Sequence, residues 1–164
     1  MHILLLVIIL VLSIKKGNWK DWELYYPTML YISLSSTLYE FISHSQFHLW
    51  ELQEKGFLSH MNVHYIHSLI INPLVAFIFL SNYPEGWSKK LTYTLKWIIA
   101  FLIAEWFGTK FHLLHYHNGW NLGWSSLFLV IMFPMLRLHY LHKILAICFS
   151  VCIVFFLLLI FNYI

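Results

Sequence analysis

The sequence predicts an all-α fold, a polytopic bundle of transmembrane helices, on three observations. Of the 164 residues, 60% are hydrophobic and only 10% are charged, and the mean hydropathy is +0.71. A soluble domain usually carries about 25% charged residues. Apolar stretches also recur along the whole chain between short polar connections. No ten-residue pattern of alternating polarity, as a membrane β-barrel requires, is present in the sequence.

Six apolar stretches are predicted to form the helices. They are Ile3–Ile14, Tyr26–Ile42, Val63–Leu80, Leu91–Phe107, Trp120–Leu136 and Leu141–Ile164. Each stretch after the first approaches the ~20 residues that a helix needs to cross ~30 Å of hydrocarbon. Because the first is short, the sequence is compatible with six spans or with five spans plus a shallow N-terminal helix. Residues 1–164 are predicted to form a single integral membrane domain.

The first stretch is interpreted as a retained helix and not as a cleaved signal peptide. Lys15 and Lys16 follow the apolar run, whereas a signal peptide carries its basic residues before that run. Aromatic residues that prefer the headgroup level flank the later stretches, for example Trp22 before the second, Tyr83 after the third and Trp106 at the end of the fourth. These positions support the predicted boundaries.

Prolines and cysteines occur within the later apolar stretches. Pro73 in the third and Pro134 in the fifth can kink their helices, because proline removes a backbone hydrogen bond. Cys148 and Cys152 lie four residues apart in the last stretch, and hence on one helix face. We interpret them as small hydrophobic residues that face lipid or a packed neighbour.

The basic residues predict the orientation of the bundle in the membrane. The first, third and fifth connections hold Lys15, Lys16, Lys20, Lys89, Lys90, Arg137 and Lys143, and the second and fourth hold Lys55 and Lys110. Because basic residues in short loops mark the cytoplasmic side, this asymmetry predicts a cell-membrane protein with both termini extracytoplasmic.

Most of the eleven histidines fall on the predicted outer side. Eight of them adjoin the second and fourth connections: His44, His48, His60, His64, His67, His112, His115 and His117. His2 joins them if the N-terminus is outside. His139 and His142 lie on the predicted cytoplasmic side, beside Arg137 and Lys143, and are interpreted as headgroup contacts.

The outer histidines are spaced so that each group would lie on one face of a helix. His44 and His48 are four residues apart, His60, His64 and His67 follow a spacing of four and then three, and His112 and His115 are three apart. On a helix, residues three or four apart lie on one face with Cβ atoms about 5–6 Å apart. Three helices are therefore expected to bring polar stripes to the same depth of the membrane.

Two glutamates extend these stripes. Glu40 precedes His44 by four residues, and Glu105 precedes His112 by seven. A carboxylate near the end of a span is costly unless it faces the bundle, a cavity or a partner. Imidazole and carboxylate groups together form the ligand set of zinc and iron. The sequence predicts a transition-metal site among the eight outer histidines, with Glu40 and Glu105 as ligands or as general bases.

Two classes of function remain open at this point. One is a metal-dependent hydrolase or oxidase that acts on a lipid or another membrane-embedded substrate. The other is a non-enzymatic membrane protein, such as a partner subunit, a small transporter or a pH-responsive element, with a metal-free polar cluster. The motifs His-Glu-x-x-His and Gly-x-Ser-x-Gly are missing, and the basic density of a nucleic-acid binder is missing too. The expected partners are the bilayer, such a substrate and further copies of the chain.

Three segments resemble a known family: Gly17–Thr28 (GNWKDWELYYPT), Tyr116–Asn121 (YHNGWN) and Phe133–Tyr140 (FPMLRLHY). In these segments the chain is similar to a family of small multi-spanning membrane proteins of spore-forming Gram-positive bacteria, which carries no assigned activity. The resemblance implies a protein of the bacterial cytoplasmic membrane and names neither a substrate nor a cofactor. Of the histidines, only His117 and His139 fall in these segments, so the metal prediction depends on spacing.

Overall fold

The structure, a computed structural model, describes residues 2–44, 48–52 and 60–163, and only the backbone of His44, His60 and Met61. The chain is mostly helical (82%). The helices are α1 (His2–Lys16), α2 (Trp22–His44), α3 (His60–Ile66 and Asn72–Ser81, joined by a π-helical segment, His67–Ile71), α4 (Trp87–Lys110), α5 (Leu122–Leu141) and α6 (Lys143–Ile160). A 3₁₀ turn, Trp19–Asp21, precedes α2, and two short strands, β1 (Trp50–Leu52) and β2 (Leu114–Tyr116), lie in the connections.

Among the described residues, four helices are long and apolar enough to cross a membrane: α3 over Asn62–Ser81, α4, α5 and α6. Helix α1, with 15 residues, is too short and α2, with 23, is not apolar enough by itself, so the two qualify only as a pair, whose axes are bent by 89°. The polar residues within α2, among them Glu23, Ser36 and Glu40, lower its hydropathy. The predicted class, a helical protein with several membrane-length helices, is confirmed, while the number of spans stays a prediction.

The two strands were not expected from the sequence. Strand β1 pairs with β2 in antiparallel register, with Glu51 opposite His115. The pairing joins the α2–α3 connection to the α4–α5 connection. Tyr39 supports it from α2, because its hydroxyl accepts the backbone N–H groups of Leu49 and Trp50 at 3.2 Å. We call the end of the bundle that carries β1 and β2 the ribbon end.

The first, third and fifth connections meet at the opposite end, which we call the basic end. The Asn82 side chain, after α3, donates to the Lys16 carbonyl oxygen at 2.8 Å. The guanidinium of Arg137, near the end of α5, lies over the ring of Tyr83. The seven basic residues of these connections therefore share one end of the molecule, which is the grouping that their alternation along the chain predicts.

Helix α3 lies at the centre of the bundle. Of its most apolar window, 67% is buried inside the protein, against 6% for α6. Phe77 and Phe79 are fully buried and pack with Tyr25 of α2 and Phe133 of α5. Pro73 lies inside α3, directly after its π-helical segment.

Helices α1 and α6 lie at the margin. The first turn of α1 lies beside His67 and its last turn beside Asn82, so α1 packs along α3. Cys148 and Cys152 of α6 are free thiols and are exposed on its surface. This exposure agrees with their interpretation as small hydrophobic residues at the surface of the bundle.

Candidate functional site

Glu40 and His64 form a close pair between α2 and α3 near the ribbon end. The Oε2 atom of Glu40 lies 2.9 Å from Nδ1 of His64, and the two side chains are only 21% and 6% exposed. A partly buried carboxylate gains from such a neighbour, and His64 compensates the charge of Glu40 when its imidazole is protonated. The pair joins two of the residues that the spacing of the sequence singled out.

Further polar contacts continue from this pair along the same two helices, away from the ribbon end. The hydroxyl groups of Ser36 and Ser68 lie 2.9 Å apart, and the Asn72 side-chain amide donates to Ser36 Oγ at 3.0 Å. We call Ser36, Glu40, His64, Ser68 and Asn72 the α2–α3 seam. The hydroxyl and amide groups of Ser36, Ser68 and Asn72 form hydrogen bonds across the interface. The Oε2 atom of Glu40 is buried and approaches His64 without the geometry of a hydrogen bond.

His67 contacts α1 instead of α2. Its Nε2 atom lies 3.1 Å from Nδ1 of His2, and the two rings meet edge to face at 5.2 Å between centroids. The π-helical segment begins at His67, and its wider turn rotates the following residues relative to an ideal α-helix. His64 and Ser68, four residues apart, contact α2, whereas His67 contacts α1.

The histidines that follow α4 form a second group, on the ribbon. The rings of His112 and His115 stack with centroids 5.9 Å apart. Nε2 of His117 lies 3.6 Å from Oε2 of Glu51, and its side chain is 46% exposed. A backbone turn separates His112 from the end of α4, because His112 has a φ of +54°. The helical register that spacing suggests for His112 and His115 is thus replaced by a turn and a strand.

The remaining predicted ligands are His44, His48 and His60. The backbone carbonyl of His48 accepts the Asn118 side-chain amide at 3.0 Å. The side chains of His44 and His60 lie outside the described residues, but their backbones belong to α2 and α3. Each is one helical turn beyond Glu40 or His64 in the direction of the ribbon end. In the part of the chain whose side chains are described, no three His, Cys, Asp or Glu residues are grouped closely enough to hold a metal ion.

Glu105 has its partners on the ribbon and on α5. Its Oε1 atom accepts the Tyr116 hydroxyl at 2.7 Å and also accepts the Ser125 hydroxyl. The indole N–H of Trp120 donates to Ser125 Oγ at 2.9 Å. Burial and the hydrogen bond to Glu105 both raise the pKa of Tyr116, which keeps this phenol protonated as a donor. Glu105 thus connects α4 with β2 and α5. The spacing of the sequence had suggested a contact with His112 instead.

The interpretation of His139 as a headgroup contact is wrong, because this residue is only 4% exposed. Its Nδ1 atom lies 3.0 Å from the Thr28 hydroxyl, and its ring stacks on Tyr31 with centroids 4.2 Å apart. Its place three residues after the buried Leu136 puts it on the inner face of α5.

Comparisons of the chain with protein-family models, with curated proteins and with solved structures returned no match. The family resemblance of Gly17–Thr28, Tyr116–Asn121 and Phe133–Tyr140 therefore stays a prediction from the sequence.

Proposed function

We propose that the chain is a multi-pass protein of the bacterial cytoplasmic membrane that binds zinc or iron where α2 and α3 meet at the ribbon end. The contact between Glu40 and His64 is the observation that carries this proposal. Two ligand atoms bound to one tetrahedral ion at about 2.1 Å each lie about 3.4 Å apart. A shift of about 0.5 Å from the 2.9 Å contact would let both atoms bind one ion.

His44 and His60 complete the proposed ligand set. Glu40 and His44 are spaced four apart on α2, and His60 and His64 are spaced four apart on α3. Two helices that each supply a pair of ligands on one face are a recurring arrangement in metal sites of helical bundles. Other candidate histidines have partners elsewhere, His67 with His2 and His117 with Glu51.

The proposed chemistry follows from the properties of the metal ion and from the position of the site in the membrane. With the seven basic residues of the basic end in the cytoplasm, the ribbon end and both termini face outward. A metal bound there would lower the pKa of a coordinated water to about 7, which is the chemistry of a hydrolase at the outer leaflet. The same ligands suit an iron-dependent oxidase. A lipid or another membrane-embedded substrate would reach either site from the bilayer.

Metal content tests the proposal directly. We expect the wild-type chain, purified in detergent without chelator, to carry about one equivalent of zinc or iron. The double variant Glu40→Gln, His64→Ala should carry less than about a tenth of an equivalent, because it lacks two of four ligands. His142→Ala, an exposed histidine at the basic end, is the matched control and should retain the metal. Wild-type protein with less than about a tenth of an equivalent would refute the proposal.

A second candidate is a non-enzymatic protein in which the same pair is a metal-free polar contact. The contacts among Ser36, Ser68 and Asn72 favour it, because these groups continue the seam and are poor ligands for zinc or iron. The chain would then serve as a partner subunit, a small transporter or a pH-responsive element. A metal-free wild type with an energetic coupling between Glu40 and His64 of about 0.5–3 kcal/mol in a double-mutant cycle would support this candidate.

A further inference from the structure

Arg137, four residues before the end of α5 at the basic end, lies beside two aromatic rings. Its guanidinium carbon lies 4.7 Å from the ring centroid of Tyr83 and 5.0 Å from that of Tyr140. Tyr140 in turn stacks on the buried Tyr25, with centroids 5.6 Å apart. The two rings come from different elements, the α3–α4 connection and α5, so the tertiary fold fixes the position of this cation.

Cation–π contacts use the charge of the guanidinium group and consume none of its N–H donors. The five N–H donors of arginine form a planar fork that matches the oxygens of a phosphate group. Across the described ranges, no carboxylate forms an ion pair with Arg137, and no acceptor forms a hydrogen bond with it. The protein thus orients a cation by cation–π contacts without neutralising it.

The surroundings of Arg137 are basic. The connections at this end carry seven basic side chains, and their acidic residues are Asp21, Glu23 and Glu85. Lys143 begins α6 directly after the turn that follows α5. The electrostatic field at this end therefore favours an anion.

The depth of Arg137 indicates where that anion comes from. It lies near the end of a 20-residue helix that is long and apolar enough to cross a membrane. The end of such a helix lies at the level of lipid headgroups, and tyrosine rings prefer that level. The phosphodiester of a phospholipid lies at this level of the membrane. A site for a soluble phosphate would not need to lie at the end of a membrane-length helix.

We propose that Arg137, oriented by Tyr83 and Tyr140, binds the phosphate of an anionic phospholipid headgroup, with Lys143 as a second cation. The fork of Arg137 donates two parallel hydrogen bonds to the phosphate oxygens, a charge-assisted geometry that is stronger than a neutral hydrogen bond. Basic residues at the cytoplasmic ends of transmembrane helices commonly recognise such headgroups. This site is separate from the seam between α2 and α3 and does not depend on a metal there.

Lipid-dependent thermal unfolding tests this assignment. Purified protein in a neutral detergent is titrated with phosphatidylglycerol, with phosphatidylcholine of the same acyl chains, and with sn-glycerol 3-phosphate as a soluble source of phosphate. We expect only phosphatidylglycerol to raise the Tm. Arg137→Gln should weaken the apparent affinity about tenfold, because the bidentate contact is lost. Lys20→Gln, a basic residue at the same end, is the matched control and should change it less than about twofold.

Three outcomes would overturn the proposal: an unchanged affinity in Arg137→Gln, equal stabilisation by phosphatidylcholine, or saturation by sn-glycerol 3-phosphate, which would assign the site to a soluble phosphate. If Arg137→Gln does not fold, Arg137→Lys keeps the charge and removes the planar fork, and it should still weaken binding. Native mass spectrometry of the wild type from mixed-lipid nanodiscs needs no variant. It should show retained phosphatidylglycerol, and equal retention of both lipids would contradict the assignment.

Discussion

Glu40 and Glu105 each have their partners on neighbouring elements, which explains how two carboxylates are tolerated in helices of membrane length. Glu40 contacts His64 across the α2–α3 interface, and Glu105 accepts hydrogen bonds from Tyr116 and Ser125. The position of both glutamates near the end of an apolar stretch predicts that each needs a partner. It could not identify that partner for Glu105, because Tyr116 reaches it only through the position of β2.

At the scale of single residues, we predict that Glu105 holds the ribbon to the bundle. Glu105→Leu should lower the free energy of unfolding by about 1–3 kcal/mol, because the Tyr116 and Ser125 hydroxyls lose their common acceptor. Glu105→Gln should cost less, since an amide oxygen still accepts. Thermal or denaturant unfolding in detergent measures the difference. Glu85→Gln, at an exposed position, is the control, and a Leu variant as stable as this control would contradict the prediction.

At the scale of elements, the docking of α1 on α3 depends on a close approach at Gly17. A Cβ atom at this position would lie 2.2 Å from Cε1 of Phe77 and 2.5 Å from the carbonyl oxygen of Ser13. Phe77 is fully buried and part of the central aromatic cluster, so its ring cannot move away without disturbing its neighbours. Only glycine fits at this point of contact.

We therefore predict that Gly17→Ala loosens α1. Overpacking of this kind typically lowers the free energy of unfolding by about 1–3 kcal/mol. Hydrogen–deuterium exchange should show faster exchange across α1, with α5 and α6 less affected. Gly108→Ala is the matched control, because its added Cβ would meet only the Leu114 side chain at 3.6 Å, an ordinary contact distance. Similar exchange of α1 in both variants would show that the close approach does not hold the helix.

At the scale of the whole molecule, the two ends differ in charge. In the sequence, the connections at the basic end carry seven basic and three acidic residues. The second and fourth connections and the helix ends that flank them carry two basic residues, Lys55 and Lys110, and four acidic ones, Glu40, Glu51, Glu54 and Glu105, of which Glu54 and Lys55 lie outside the described residues. Short basic loops resist export across the membrane. This asymmetry is the basis for placing the basic end in the cytoplasm.

The orientation can be tested with two exposed lysines, one at each end. In a background without Cys148 and Cys152, we expect an impermeant thiol reagent to label Lys110→Cys in intact cells and to leave Lys89→Cys unlabelled. Both should react after the membrane is permeabilised, which controls for expression and access. Labelling of Lys89→Cys alone in intact cells would reverse the orientation and move the proposed metal site to the cytoplasm.

The sequence by itself determined the helical membrane class and the grouping of the connections into two ends, because apolar length and loop charge are properties of contiguous residues. It also marked Glu40 as a residue in need of a partner and His64 as a candidate ligand. Only the tertiary structure decided which groups meet. The register between α2 and α3 brings Glu40 to His64, and the packing of α1 along α3 brings His2 to His67. Such contacts join residues tens of positions apart, and their geometry is set by packing between helices, which no local pattern encodes.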